Sequence, residues 1–117
     1  MNVKLFDSEL NVMEVLWKEG DIPAKKICNI LGDSIGWNKN TTYTIIKKCI
    51  EKGTIERREP NFICHALISR DVAQNNEVDS LIDKMFEGSS DLLFSSLIGR
   101  KKVSPNVIEK LKKMLES

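Results

Sequence analysis

One histidine, one tyrosine and three cysteines among 117 residues leave the chain short of the side chains from which most catalytic and metal sites are made. The lone His65 has no evident partner for general acid-base work, and a packing or hairpin-surface role is expected for it. Cys28, Cys49 and Cys64 are odd in number and far apart, which excludes both a disulfide framework and the close doublets of structural zinc sites. Each lies in an apolar stretch (KKICNIL, IIKKCIEKG, NFICHAL), where free cysteine behaves as a small buried hydrophobe, and a reducing compartment follows. Cys64 and His65 are neighbours in sequence, but adjacent residues of a strand face opposite ways and form no catalytic pair. HExxH, GxSxG and P-loop motifs are missing too, so the expectation is no enzyme, no catalytic residue, no cofactor and no metal.

Long apolar runs are also lacking. No stretch approaches the roughly 18 residues of a membrane span, and MNVKLFDSEL carries neither a long apolar core nor a small-residue cleavage site. A cytoplasmic protein without membrane insertion is expected. Neither sign of charge dominates: 18 Lys+Arg against 17 Asp+Glu give +1. Yet net charge is a sum that says nothing of where charges lie. Between Trp37 and Arg58, Lys39, Lys47, Lys48, Lys52, Arg57 and Arg58 oppose only Glu51 and Glu56, a local +4.

What is present is hydrophobic periodicity. Leu10, Val12, Met13, Leu16 and Trp17 mark a first helix over Asp7 to Glu19, with Asp7 or Ser8 as N-cap and Gly20 as stop. After the turn Gly20-Asp21-Ile22, Pro23 opens a second helix, with Ile27, Cys28, Ile30 and Leu31 on one side until Gly32. Asn38 caps a third, in which Ile45, Ile46, Cys49 and Ile50 form an apolar back and Gly53 ends the helix. Its opposite face carries Asn40, Thr41, Tyr43, Thr44, Lys47 and Lys48. Thr54 to Arg58 and Phe62 to Ile68 then read as two strands around the turn Glu59-Pro60-Asn61. Three helices followed by a hairpin is the order of a winged helix-turn-helix. Trp17 is expected in the core and Trp37 under the turn before the third helix.

Past residue 70 the pattern changes. Val78, Leu81, Ile82, Met85 and Phe86 make one strong helical face, Leu92, Leu93, Phe94, Leu97 and Ile98 a shorter one, and Ser104-Pro105 starts a last helix with Val107, Ile108, Leu111, Met114 and Leu115 inward. About 47 residues are too few to bury three such faces within one chain, so a second copy is expected to cover them. Expected, then, is a mainly α chain with a small β-hairpin: a winged-helix DNA-binding domain over 1–70 and a helical dimerisation domain over 71–117. Short hydrogen-bonding groups on the third helix suit base edges, and its lysines with Arg57 and Arg58 of the hairpin suit phosphates. The rival reading is a winged helix that binds only protein.

The residues Val12-Met13-Glu14-Val15-Leu16-Trp17, Gly36-Trp37-x-x-x-Thr41, Thr44-Ile45-Ile46, Lys52-Gly53-Thr54-Ile55-Glu56-Arg57-Arg58 and Leu67-Ile68-Ser69-Arg70, with a phenylalanine shortly before Gly88, follow one another in a familiar order. Over nearly its whole length the chain resembles the penicillinase-repressor family of transcriptional regulators, the BlaI/MecI/CopY type. The resemblance implies a homodimer, a winged helix on a palindromic operator, and control of β-lactam resistance or copper homeostasis genes. It also implies DNA contacts by Thr41 and Thr44. Tyr43 stands where the family more often has a basic residue, Thr42 where it has an aliphatic one, and His65 where it has an aromatic. The resistance members are cleaved at an Asn-Phe bond by a membrane sensor-protease, and the matching proteolytic site here is Ser96-Leu97. The paired Cys-x-Cys motifs of the copper members have no counterpart near this C-terminus.

Overall fold

The computed structural model describes residues 4–100 and 104–116, with the side chains of Ile108, Leu111, Lys112, Met114, Leu115 and Glu116 outside that description. In chain order the elements are α1 (Asp7–Glu19), β1 (Ile22–Pro23), α2 (Ala24–Ile35), α3 (Lys39–Lys52), β2 (Ile55–Arg58), β3 (Ile63–Ala66), α4 (Arg70–Met85), α5 (Ser90–Gly99) and α6 (Pro105–Glu116). The expected winged helix-turn-helix is present, with one more strand than the sequence suggested. The chain divides into two compact units between Glu77 and Val78, inside α4.

In the first unit the apolar faces of three helices converge with the sheet. Val12, Met13 and Leu16 of α1, Ile27, Cys28 and Leu31 of α2, and Ile45, Ile46 and Cys49 of α3 are buried together with Ile22, Ile55 and Cys64. All three cysteines lie in or against this core as free thiols. Trp17 is half-buried at its edge, where its indole N–H donates to the Ile68 carbonyl at 2.9 Å. Trp37 packs on the core ahead of α3, as expected.

The helix ends follow local chemistry, with two differences from expectation. Helix α1 is entered from Phe6, not capped by Asp7 or Ser8: the Phe6 N–H donates to Glu9 Oε1 at 2.8 Å, so Glu9 takes the reciprocal role of a capping box. Helix α2 runs through Gly32 to Ile35, and Gly36 at φ 73° is its left-handed cap. A glycine inside a helix weakens it by only about 1 kcal/mol, which the buried apolar side of α2 outweighs. In α3 the expected caps hold: Asn38 Oδ1 accepts from the Thr41 N–H at 2.8 Å, and Gly53 at φ 83° turns the chain directly into β2. The last three helices open alike, with Ser69, Ser89 and Ser104 accepting from the N–H groups of Val72, Leu92 and Val107.

The sheet is antiparallel, in the order β1-β3-β2. Ile22 pairs with Cys64 and Pro23 with Ile63, while Ile55, Glu56, Arg57 and Arg58 pair with Ala66, His65, Cys64 and Ile63. The segment expected as a simple turn into α2 thus contributes a short strand. The Ala24 N–H, donating to the Phe62 carbonyl at 2.9 Å, continues that attachment and fixes the hairpin to the start of α2.

Candidate nucleic-acid interface

Helix α3 presents the face read from its sequence. Asn40, Thr41, Thr44, Lys47 and Lys48 are exposed, while Thr42, Ile45, Ile46 and Cys49 are buried behind them. The i, i+3 and i+4 spacing stacks Thr41, Thr44 and Lys48 along one line of the helix and Asn40, Thr44 and Lys47 along an adjoining one. Thr44 Oγ1 donates to the Asn40 carbonyl at 2.8 Å, which fixes the hydroxyl and leaves its lone pairs and methyl outward. Thr42 turns inward instead, its hydroxyl donating to the Asn38 carbonyl at 3.2 Å. A threonine fills that aliphatic place because its one polar group finds a backbone partner.

Tyr43 departs from the exposed row. It is half-buried, with its ring 6.0 Å from that of Phe62 and tilted by 50°. Burial and the neighbouring Cys28 thiol push its hydroxyl above the ordinary tyrosine range. Tyr43 therefore joins α3 to the hairpin.

The local positive charge is also redistributed. Lys52 lies at the back of α3, where its ammonium is 2.7 Å from Glu9 Oε1 and donates to the Lys4 carbonyl at 3.0 Å. Among the described residues Lys39, Lys47 and Lys48 form no ion pair. Strand alternation separates the two hairpin arginines. Arg57 shares the side of its cross-strand partner Cys64, toward α3; Arg58 lies on the other side with His65.

Each arginine is anchored by a carboxylate. Arg57 Nε donates to Glu59 Oε1 at 2.6 Å, and its guanidinium sits 3.7 Å from the Phe62 ring centre. Arg58 pairs with Glu56 and, at 3.4 Å, with Asp21. Hydrogen bonds from these arginines hold Glu56 and Glu59 below the usual carboxylate range. Asp21 also meets His65 Nδ1 at 2.8 Å, so the histidine has the hairpin-surface role expected of it. The contacts of Lys52 with Glu9 and of Arg58 and His65 with Asp21 are not visible in a linear pattern, because each joins residues 37 to 44 apart in sequence that meet only after folding, whereas the pairs Arg57–Glu59 and Arg58–Glu56 are local.

The second unit offers a different surface. Val78, Leu81 and Met85 of α4 are exposed, Met85 to 70%, and Ile82, Phe86, Leu93 and Leu97 are only half-buried. No residue of α4 or α5 is buried. Ile108, Leu111 and Leu115, expected on the same interface, have side chains outside the described residues. Ser96 and Leu97 are half-buried within α5.

The family model described as Penicillinase repressor matches residues 5–117. The chain belongs to the penicillinase repressor family. Among similar proteins, the methicillin resistance regulatory protein MecI of Mammaliicoccus sciuri is 23% identical over 96% of this chain and 93% of its own length. The penicillinase repressor of Bacillus licheniformis is 23% identical over 97% and 90%. Two solved structures share the fold of the first unit at 24% identity, each covering 62% of this chain and 90% of its own. They are the DNA-binding domain of the repressor BlaI, with a TM-score of 0.56, and the monomeric form of Bacillus licheniformis BlaI in complex with the blaP half-operator, at 0.54. A penicillinase repressor is not a class of enzyme. No helix among the described residues is long and apolar enough to cross a membrane.

Proposed function

We propose that this penicillinase-repressor chain is a DNA-binding transcriptional repressor that acts as a homodimer on a palindromic operator and controls β-lactam resistance genes. The reading is carried by the outer face of α3, where Asn40, Thr41 and Thr44 stand exposed and Lys47 and Lys48 continue the same face toward its C-terminal end. Laid in a major groove, the asparagine and threonines meet base edges and thymine methyls, and the lysines meet the phosphates on either side. Arg57, on the α3 side of the hairpin, adds a phosphate contact from the wing.

The dimer is supported by the apolar residues left exposed along α4 and α5. Two copies related by a two-fold axis would cover one another's Val78, Leu81 and Met85 and would place two α3 helices on half-sites about one helical turn apart, or a small multiple of it. Relief of repression through a membrane sensor-protease, cutting at Ser96-Leu97, belongs to the same proposal. Because that bond lies in α5, the helix must unwind locally before a protease can accept it.

The deciding experiment is selection of duplexes from a random pool, followed by titration of the selected duplex at rising salt. A protein neutralising several phosphates loses affinity by orders of magnitude between about 50 and 200 mM salt. Failure to enrich any duplex, or affinity that stays flat over that range, overturns the reading in favour of a winged helix that binds only protein.

A further inference from the structure

The wing holds one arginine in a manner that the phosphate reading alone does not require. Arg57 is gripped on two sides: its Nε edge donates to Glu59 Oε1 at 2.6 Å, and its flat face lies 3.7 Å from the centre of the Phe62 ring. Glu59 is fixed in turn by the Phe62 N–H, which donates to its second carboxylate oxygen at 3.3 Å. Phe62 also meets Tyr43 of α3, ring centre to ring centre, at 6.0 Å. The result is a column of Tyr43, Phe62 and Arg57 that runs from α3 to the wing. The backbone of Phe62 has φ 51°, a conformation that a bulky residue adopts only when its surroundings hold it there.

An exposed arginine is ordinarily a flexible chain with several rotatable bonds, and holding it for one phosphate opposes binding with lost side-chain entropy. Here one edge and one face of the guanidinium are already occupied. Its terminal NH₂ groups remain as the donors that can grip a phosphate with two parallel hydrogen bonds. Arg58, on the opposite side of the strand, has no aromatic against its guanidinium among the described residues and divides its hydrogen bonds between Glu56 and Asp21.

We infer that Phe62 is a positioning residue, whose ring, braced by Tyr43, sets the guanidinium of Arg57 to clasp a DNA phosphate. The inference rests on the proposed DNA binding and goes further in assigning a role to a side chain that itself touches no DNA. It also accounts for the contact of Tyr43 with the ring.

The test is a double-mutant cycle on the selected duplex, with affinity read by fluorescence anisotropy at several salt concentrations. Arg57→Ala is expected to lower the slope of log affinity against log salt by about one phosphate. Phe62→Ala should weaken binding roughly three- to tenfold and lower the slope in the same direction. In the Arg57→Ala background it should cost no more than about twofold further. Phe62→Leu keeps an apolar side chain but lacks a ring face, and should behave like the alanine variant. Phe62→Tyr should behave like wild type. Additive losses in the double variant, or a wild-type salt slope in the folded Phe62→Leu chain, overturn the inference while leaving DNA binding intact. Absence of binding by the wild-type chain overturns the proposed function itself.

Discussion

The Glu9 carboxylate, in a residue only 1% exposed, meets the Lys52 ammonium at 2.7 Å and thereby ties the first turn of α1 to the last turn of α3. The same Oε1 accepts the Phe6 N–H, whereas Oε2 is buried without a hydrogen-bond partner among the described residues. Removing the counter-charge of a buried carboxylate leaves an uncompensated charge and is strongly destabilising. Lys52→Ala, leaving Glu9 alone in the core, is expected to lower stability by about 2–3 kcal/mol. The double change Glu9→Met with Lys52→Met should lose less than Lys52→Ala, because it removes the stranded charge. Urea unfolding of the three variants checks the order, and a double variant less stable than Lys52→Ala would refute it.

Thiol chemistry gives a pH dependence. Burial pushes Cys49 and Cys64 up to about 11, well above the usual thiol range. Above about pH 8.5 an unfolded chain releases these protons while the folded chain keeps them. Stability from the two thiols is therefore complete below that pH and declines as pH rises through about 11. The urea midpoint should fall between pH 8 and pH 10.5, and Cys49→Ala should fall less steeply than wild type. Equal slopes would show that other groups carry the effect.

On α3, threonine and lysine are expected to fail differently. Thr41→Ala should narrow the gap between selected and random duplexes by roughly 1–3 kcal/mol, with little change in salt slope. Lys48→Ala should weaken both duplexes about equally and reduce the slope by about one. Parallel gel shifts on the two duplexes distinguish these outcomes. The same response from both variants would remove α3 as the element that reads sequence.

For the second unit, Leu81→Asp and Met85→Asp place a charge on the exposed apolar face of α4. Both should shift the sedimentation coefficient from dimer to monomer and weaken binding to a two-half-site duplex, because the second half-site no longer gains from the first. Affinity for a single half-site should be unchanged. A wild-type chain that sediments as a monomer at micromolar concentration would remove the basis of this expectation.

Much of this arrangement was legible in the linear order of residues, for reasons that differ from element to element. The i, i+3, i+4 pattern of α1 and α3, with Asn38 and Gly53 at the ends of α3, is local information, and the structure retains it. Strand β1 is not legible in sequence because two residues carry no periodicity; it exists because Ile22 and Pro23 pair with Cys64 and Ile63 of β3, far along the chain. Glycine's poor helix propensity predicts an end to α2 at Gly32, yet the burial of Leu31 and the cap at Gly36 carry the helix past it. The polarity of Tyr43 and its place in the helical period suggest the outer face. Its aromatic ring found Phe62 instead, a choice settled by the wing and not by α3.

The order β1-β3-β2 leaves two strands with unpaired outer edges, and neither invites another strand. Edge β1 is only two residues long and includes Pro23, which has no N–H to donate; edge β2 carries Glu56, Arg57 and Arg58. A sheet so bordered resists growth by strand addition, even when two wings are brought close together. The proposed dimer is thus left to the helices, where side-chain fit can limit association to a closed pair instead of an open-ended fibre.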